Sequence, residues 1–190
     1  MQLWQKIIDT PIGPLQALAS INGVCWLAFQ HENEPVEAPP PKIAPYFPSF
    51  QLSNQPNPLL NAAEAWVQHY FLGNSPLPLL PTLDLQGTGF AKRLWATLMS
   101  VSLGETQSYA WLANRLSNPK AVRAVGRALR DNPVALMVPC HRIIGANGSL
   151  TGYRGGLWRK KWLLDHEQQI LRQSQDNHLD KQAQATPPLY

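Results

Sequence analysis

Cysteine is scarce in this sequence. Only Cys25 and Cys140 occur among 190 residues, which excludes a disulfide framework and leaves too few thiols for a four-cysteine zinc site. The default setting for such a chain is reducing and cytoplasmic, where a free reactive thiol survives. Long apolar runs are also missing. No stretch reaches the roughly 18 uninterrupted apolar residues of a membrane span, so no membrane partner is expected. Met1 to Gly13 carry no basic segment followed by an apolar one, so no signal peptide is expected. Acidic residues are few where basic ones gather. Residues 84–172 hold thirteen Lys and Arg against five acids, a net +8, whereas residues 1–83 sum to −3. Such a basic segment points to a polyanionic partner, nucleic acid first, over the bland alternative of a soluble basic surface.

Proline is plentiful but lopsided, with thirteen of eighteen before residue 84. Residues 2–8 and 15–29 read as strands joined by a turn at Pro11-Ile12-Gly13-Pro14. Asn22-Gly23 marks a hairpin inside the second stretch. Cys25 lies in the strand after that hairpin and reads as packing. Residues 31–57 are Pro-rich and weakly apolar, which predicts a long loop away from the core. A helix is expected over residues 61–72, with Ala62, Ala65, Trp66, His69 and Tyr70 on its inner side and Gly73 as its stop. A linker over about 74–82 closes an N-terminal α/β domain of residues 1–82.

From residue 83 the pattern turns helical. Thr88 to Val101 is amphipathic, with Phe90, Leu94, Leu98 and Val101 on one face. Tyr109 to Leu116 forms a short helix, Ser117-Asn118-Pro119 breaks it, and Lys120 to Arg130 forms the next. Helix, short turn and helix in a basic segment is the helix-turn-helix pattern. In the second helix Val122, Val125 and Leu129 share a docking side, and Arg123, Arg127 and Arg130 cluster roughly 140° away. Ala121, Ala124 and Ala128 lie between, small enough for close backbone approach. This suits a helix laid in a DNA groove better than a solvated basic face. A last helix is expected from about Gly156 to Leu171, ending a domain of residues 83–171. The remainder, 172–190, is polar, charged and proline-ended, and reads as a disordered tail.

The chemistry points to Pro139-Cys140-His141-Arg142. This tetrapeptide follows the apolar run Pro133 to Val138, which predicts a buried strand or extended segment. A thiolate is the reactive form of cysteine, and a neighbouring imidazole helps to generate it. A bare Cys-His pair also fits a buried thiol acting as a small hydrophobe. Glu167 bears on the choice. It lies three and four residues after Leu164 and Leu163, on their apolar side and near the expected helix end. Burial and the helix dipole both disfavour a carboxylate there. It needs a partner, and a histidine is the obvious one.

Asn132-Pro133, Pro139 to Ile143, Gly152-Tyr153, Gly155-Gly156, Leu163-Leu164 and His166-Glu167 together closely resemble the O6-alkylguanine-DNA alkyltransferases. Gly104-Glu105-Thr106, Ser108-Tyr109, Leu112-Ala113 and Arg123 to Gly126 match the same family upstream. The resemblance covers about Leu83 to Glu167, and before that only Thr10 to Gly13. It implies a ribonuclease H-like small sheet plus helix in the N-terminal domain and a mainly α, winged-helix C-terminal domain. It also implies DNA repair by direct reversal: stoichiometric, irreversible transfer of the alkyl group of O6-alkylguanine in double-stranded DNA to Cys140 after base flipping. O4-alkylthymine is a further candidate substrate. No cofactor or metal is expected, no obligate protein partner is evident, and a monomer is expected.

On this resemblance His141 acts through a water as the base for Cys140, and Glu167 orients His141. Asn132 ties the helix-turn-helix to the loop of the nucleophile. Tyr109 offers a hydrogen bond or proton toward N3 of the leaving guanine. Arg123 is the finger that fills the gap left by the extruded base, with Arg127, Arg130, Ala124 and Ser108 also toward DNA. Tyr153 and Arg154, with Ile143 and Val138, belong to the substrate pocket. Arg127 and Arg154 depart from the family, being cations where many relatives carry smaller residues. At Arg154 this reads either as a narrowed pocket lip or as a phosphate contact. Three rivals remain. A non-catalytic damage-sensing binder of the alkyltransferase-like type would lack the cysteine. A helix-turn-helix regulator would need a dimerisation or effector segment that is not evident. A thiol hydrolase leaves the three-arginine helix unexplained.

Overall fold

Three consecutive strands form an antiparallel meander, β1 (Gln2–Ile8), β2 (Leu15–Ser20) and β3 (Gly23–Phe29). A fourth, β4 (Gln51–Ser53), runs parallel to β1 and gives the sheet order β3-β2-β1-β4. The computed structural model describes residues 1–30 and 40–184, with side chains to residue 175. Gly13 makes the first turn possible: its φ is +105°, and a Cβ there would come within 2.8 Å of Arg159 Nη2, a conformation and a space that suit glycine. Cys25 is the extra residue of a bulge, since Leu18 pairs with Trp26 but Ala19 pairs with Val24. The bulge breaks the two-residue alternation. Val24, Leu27 and Phe29 therefore face one way with Leu15, Ala17 and Ala19, while Cys25, Trp26 and Ala28 face the other with Leu3 and Leu18. Cys25 is fully buried, and burial pushes its thiol up to about 12, so it is inert packing.

The second sheet face corrects the reading of residues 31–57 as loop outside the core. Ile43 and Phe47 are 1% and 2% exposed against Leu18 and Trp26, and β4 lies in the same stretch. Ile43 and Phe47 sit among Pro39, Pro40, Pro41, Pro45 and Pro48, which break any helical or strand period that would show a core role; residues 31–39 fall outside the described chain. Helix α1 (Pro58–Phe71) covers the first face. It starts earlier than its apolar spacing predicted, because the Asn57 side chain accepts hydrogen bonds from the N–H groups of Leu59 and Leu60 and Pro58 occupies the first turn. Its buried side is Leu60, Ala63, Trp66, Val67 and Tyr70; Ala62 and Ala65, expected inside, are exposed.

The boundary expected near residue 82 is not a break in packing. β3 lends its free edge to two later segments. Val24 N–H donates to Thr82 O at 2.8 Å, and Leu27 exchanges bonds of 2.9 and 2.7 Å with Pro133 and Ala135. One apolar cluster runs from Ile8 and Tyr70 through Trp95 and Val138 to Leu163. The sheet thus positions the loop that carries Cys140.

The second half is built on α2 (Gly89–Leu98), α3 (Tyr109–Arg115), α4 (Val122–Arg130) and α5 (Leu157–Gln184), with a two-residue parallel ladder of β5 (Gln107–Ser108) and β6 (Ile143–Ile144). Thr88 caps α2 and Ser108 caps α3. Val125, Ala128 and Leu129 dock α4, whereas Val122, expected among them, is 40% exposed. Helix α5 continues through Gln184, which corrects the tail: residues 172–184, read as disordered, are helical. They contain no Gly or Pro, and the Gln, Lys, Leu and Ala among them continue a helix at little cost. Among the described residues no helix is long and apolar enough to cross a membrane.

Candidate active site

The run Pro133 to Val138 is buried as expected, but it is not a strand. It turns repeatedly and makes a single bridge, Val134 to Leu27. Asn132, two residues beyond the end of α4, folds it. Its Oδ1 accepts from Val134 N–H at 3.1 Å, and its Nδ2 donates to Val138 O at 2.8 Å and to Cys140 Sγ at 3.1 Å. One amide thus holds both ends of the loop and the sulfur. Cys140, His141 and Arg142 then form a single buried 3-10 turn. Burial raises the Cys140 thiol, while the Asn132 amide and the charges of Arg154 and Lys160 pull it back down.

Glu167 is fully buried in α5, and it lies mid-helix rather than near a C-terminus. Its Oε1 lies 2.7 Å from His141 Nε2 and accepts from the Tyr70 hydroxyl at 2.9 Å and Arg142 Nη2 at 2.9 Å. Its Oε2 accepts from Arg142 Nε at 2.9 Å and from Gly104 N–H at 2.9 Å. Burial alone would raise this carboxyl, but His141 and the Arg142 guanidinium outweigh it and hold the group well below the usual carboxylate range. An ionised carboxylate only accepts, so His141 Nε2 carries the proton between them. Burial lowers the imidazole despite the pull of Glu167, so at neutral pH the ring is neutral and Nδ1 is its basic nitrogen. That Nδ1 is buried and bonds to no described residue.

A cavity of about 20 Å³ opens on Cys140, lined by Phe29, Ala135, Asn132, Arg130, Tyr153, Arg154 and Gly155 among others; that is room for about one water. The Arg154 guanidinium lies 4.3 Å over the Trp26 ring. Arg159 Nε and Nη1 donate to Ile12 O at 2.7 Å and Gly155 O at 3.0 Å, tying the cavity loop to the first turn. Lys160 is fully buried, and its ammonium donates to Ile143 O at 2.5 Å and Thr151 O at 2.6 Å. Burial lowers it to about 8.

The structure therefore gathers Cys140, His141, Glu167, Asn132, Tyr153, Arg154 and Arg130 around one point. Tyr109 does not line the cavity; its hydroxyl donates to Thr151 O at 3.2 Å. Val138 and Ile143, expected in the pocket, do not line the cavity. Both are fully buried, Val138 held through its carbonyl by Asn132 and Ile143 paired with Gln107 in the ladder. Arg123, Ala124 and Arg127 face outward from α4. Ser108 spends its hydroxyl accepting from Trp111 N–H at 3.0 Å. Among the described residues no group of three His, Cys, Asp or Glu side chains is placed to share a metal ion.

Comparison with known proteins bears on this arrangement. A methylated-DNA–protein-cysteine methyltransferase of Methanosarcina mazei is 37% identical over 174 residues, 90% of this chain and 100% of the relative. The chain belongs to the methylated-DNA–protein-cysteine methyltransferase family. The methyltransferase of Salmonella typhimurium is 34% identical over 177 residues, 90% of this chain and 99% of the relative. The family domain described as "6-O-methylguanine DNA methyltransferase, DNA binding domain" matches residues 89–169. The crystal structure of Mycobacterium tuberculosis O6-methylguanine methyltransferase shares the small sheet plus helices, with a TM-score of 0.72 at 34% identity over 88% of this chain and 94% of that one. A structure described as Mycobacterium tuberculosis OGT in complex with DNA gives 0.72 at 34% over 90% and 94%.

In this methyltransferase-family member, four groups at the site were missed from sequence. Arg142 stood in the key tetrapeptide without a role. Tyr70 reads as one of the apolar positions of its helix, although a buried phenol needs a partner. Gly104 reads as a turn, and its N–H gives no sequence signal. Lys160 sits between Arg159 and Lys161, where a buried cation looks like a solvated one.

Proposed function

We propose that this protein repairs alkylated double-stranded DNA by direct reversal, moving the alkyl group of O6-alkylguanine onto Cys140 Sγ. The observation that carries this reading is the buried relay: Sγ held by Asn132 at 3.1 Å, the adjacent His141, and Glu167 at 2.7 Å from Nε2. That relatives are named for methylated DNA, and that one structural relative is described in complex with DNA, supports the substrate. We read β1–β4 with α1 as the ribonuclease H-like domain, and α3 with α4 as the helix-turn-helix of a winged-helix domain.

In the reaction α4 lies on the duplex, and Arg123 takes the place of the nucleotide that swings out. Extrusion costs a few kcal/mol, less for a poorly paired damaged base. His141 Nδ1 takes the thiol proton through a water. The sulfur pair attacks the alkyl carbon, the bond from that carbon to O6 breaks, and its electrons go to O6. Tyr109 and the charges of Lys160 and Arg154 offset the charge that moves. The neutral ring of Nδ1, fixed by Glu167, is the base that this step needs. The product thioether has no route back to a thiolate, so each molecule reacts once and needs no cofactor.

Duplex DNA carrying tritiated O6-methylguanine tests the reading. Label reaches the protein in at most one equivalent and is lost in Cys140→Ala. Repeated turnover, or tight binding without transfer as a damage-sensing binder would show, overturns it.

A further inference from the structure

Every group given a role above lies beyond residue 100, yet one donor on the buried carboxylate comes from the first half of the chain. Tyr70, on α1, is fully buried, and its hydroxyl reaches Glu167 Oε1 at 2.9 Å. That is the same oxygen that His141 Nε2 approaches at 2.7 Å. The phenol ring has little freedom. It stacks on Trp66 with centroids 5.6 Å apart and meets the edges of Phe71 and His166 at 5.3 and 5.4 Å. His166 Nε2 also donates to the Tyr70 carbonyl at 2.8 Å, and Trp162 stacks on His166 at 4.8 Å. The packing that fixes the ring therefore fixes the aim of the hydroxyl.

We propose that Tyr70 is a positioning residue for alkyl transfer, acting through Glu167 on the orientation and basicity of His141. The proposal rests on the alkyl-transfer reading above for its effect on rate. Three donors share one carboxylate oxygen, Tyr70, His141 and Arg142 Nη2, and the first two are the ones that compete here. A stronger bond from Tyr70 leaves Oε1 a weaker acceptor for His141 Nε2–H, and the imidazolium less stabilised. Burial raises the phenol well above its ordinary range, so it remains a donor at all working pH. The other charged and titratable groups facing the pair are Arg142 on the nucleophile turn, Lys160 on α5 and Tyr153 on the cavity loop. His166 packs on the ring itself. Tyr70→Phe alters none of them. Helix α1 is on this view part of the site: the N-terminal half holds the base as well as the loop.

Tyr70→Phe keeps the ring and removes only the hydroxyl. Three readouts apply: the second-order rate of methyl transfer from duplex DNA against pH, the Kd for unmodified duplex, and His141 titration by 15N-edited NMR without DNA. The expected result is a loss of about three- to tenfold in transfer rate at neutral pH, the size of one ordinary net hydrogen bond, with Kd unchanged. The His141 titration and the acid limb of the rate profile both move to higher pH, because the freed carboxylate favours the imidazolium. An unmoved titration overturns the proposal, whatever happens to melting temperature. Wild-type protein that transfers no methyl group sinks the alkyl-transfer reading alone, since the NMR titration still decides whether Tyr70 acts on His141.

Discussion

Arg142 grips both oxygens of Glu167, with Nε 2.9 Å from Oε2 and Nη2 2.9 Å from Oε1, while its Nη1 donates to Val101 O at 2.6 Å. Arg142 thus anchors the carboxylate that bonds to His141, its neighbour in the chain. Removing one partner of such a buried pair leaves an uncompensated charge.

Arg142→Met is expected to cost about 3–5 kcal/mol, a large share of the roughly 5–15 kcal/mol that holds a domain together. Urea unfolding measures it. Arg142→Met with Glu167→Gln should recover part of that loss, because no bare carboxylate remains. Acid should act in two stages. His141 has a folded value below its ordinary 6.5, so stability begins to fall as pH drops below 6.5. Glu167 is depressed below its ordinary 4.5, so its contribution is complete above 4.5 and is lost as pH falls further toward the folded value. A urea midpoint flat from pH 7 to 3 would contradict both assignments.

The meeting of Cys140, His141 and Glu167 was readable because local sequence carried it: a Cys-His pair after an apolar run, and a Glu on an apolar helix side. The meander was readable from Asn22-Gly23 and the flanking strands. Pro133 to Val138 was not, because an apolar run reports burial and leaves backbone path open, and Asn132 decides that path through side-chain bonds. Tyr70 was not, because its partner lies at residue 167. Ile43 and Phe47 were hidden by prolines, and Val122, the first residue of α4, shares the docking side of the helical wheel but lies at its exposed end.

Lys160 supplies a charge near the sulfur while it ties Ile143 O to Thr151 O. Lys160→Met removes the charge and leaves two carbonyls without that donor, so it should slow methyl transfer about tenfold or more at pH 7. The sign with pH follows from its lowered value of about 8. Below 8 the wild-type ammonium is charged and supports the thiolate; above 8 it loses its proton. The wild-type advantage should therefore shrink as pH rises through 8 to 9. An advantage that stays constant over that range would show that Lys160 acts by structure alone.

Arg123 and Arg127 both face outward from α4 but are expected to fail differently. Arg123→Ala leaves the unstacking cost of a flipped nucleotide without its offset, so transfer from duplex DNA should drop about tenfold or more. Reaction with free O6-methylguanine, which needs no flipping, should change little. Arg127→Ala should weaken DNA binding uniformly across sequences and reduce the salt slope by about one. Equal losses of Arg123→Ala on duplex and free base would remove the finger role.

Arg154 leaves two readings that one variant separates. Its guanidinium lies 4.3 Å over the Trp26 ring and lines a cavity of about 20 Å³ beside Tyr153 and Gly155. As a pocket lip, it narrows access to Cys140, and Arg154→Ala should raise the rate with free O6-benzylguanine relative to free O6-methylguanine, by about tenfold for a bulky apolar group newly admitted. The methyl rate itself should fall modestly, because the Arg154 charge helps to lower the Cys140 thiol; the ratio is therefore the measurement that counts. As a phosphate contact, Arg154 would leave the free-base ratio unchanged, and the variant would instead bind duplex more weakly with a shallower dependence on salt. The stacking on Trp26, a residue of β3, favours the first outcome. A side chain held flat against the sheet is placed by the fold before any DNA arrives, and shapes the mouth of the site whether the base comes free or in a duplex.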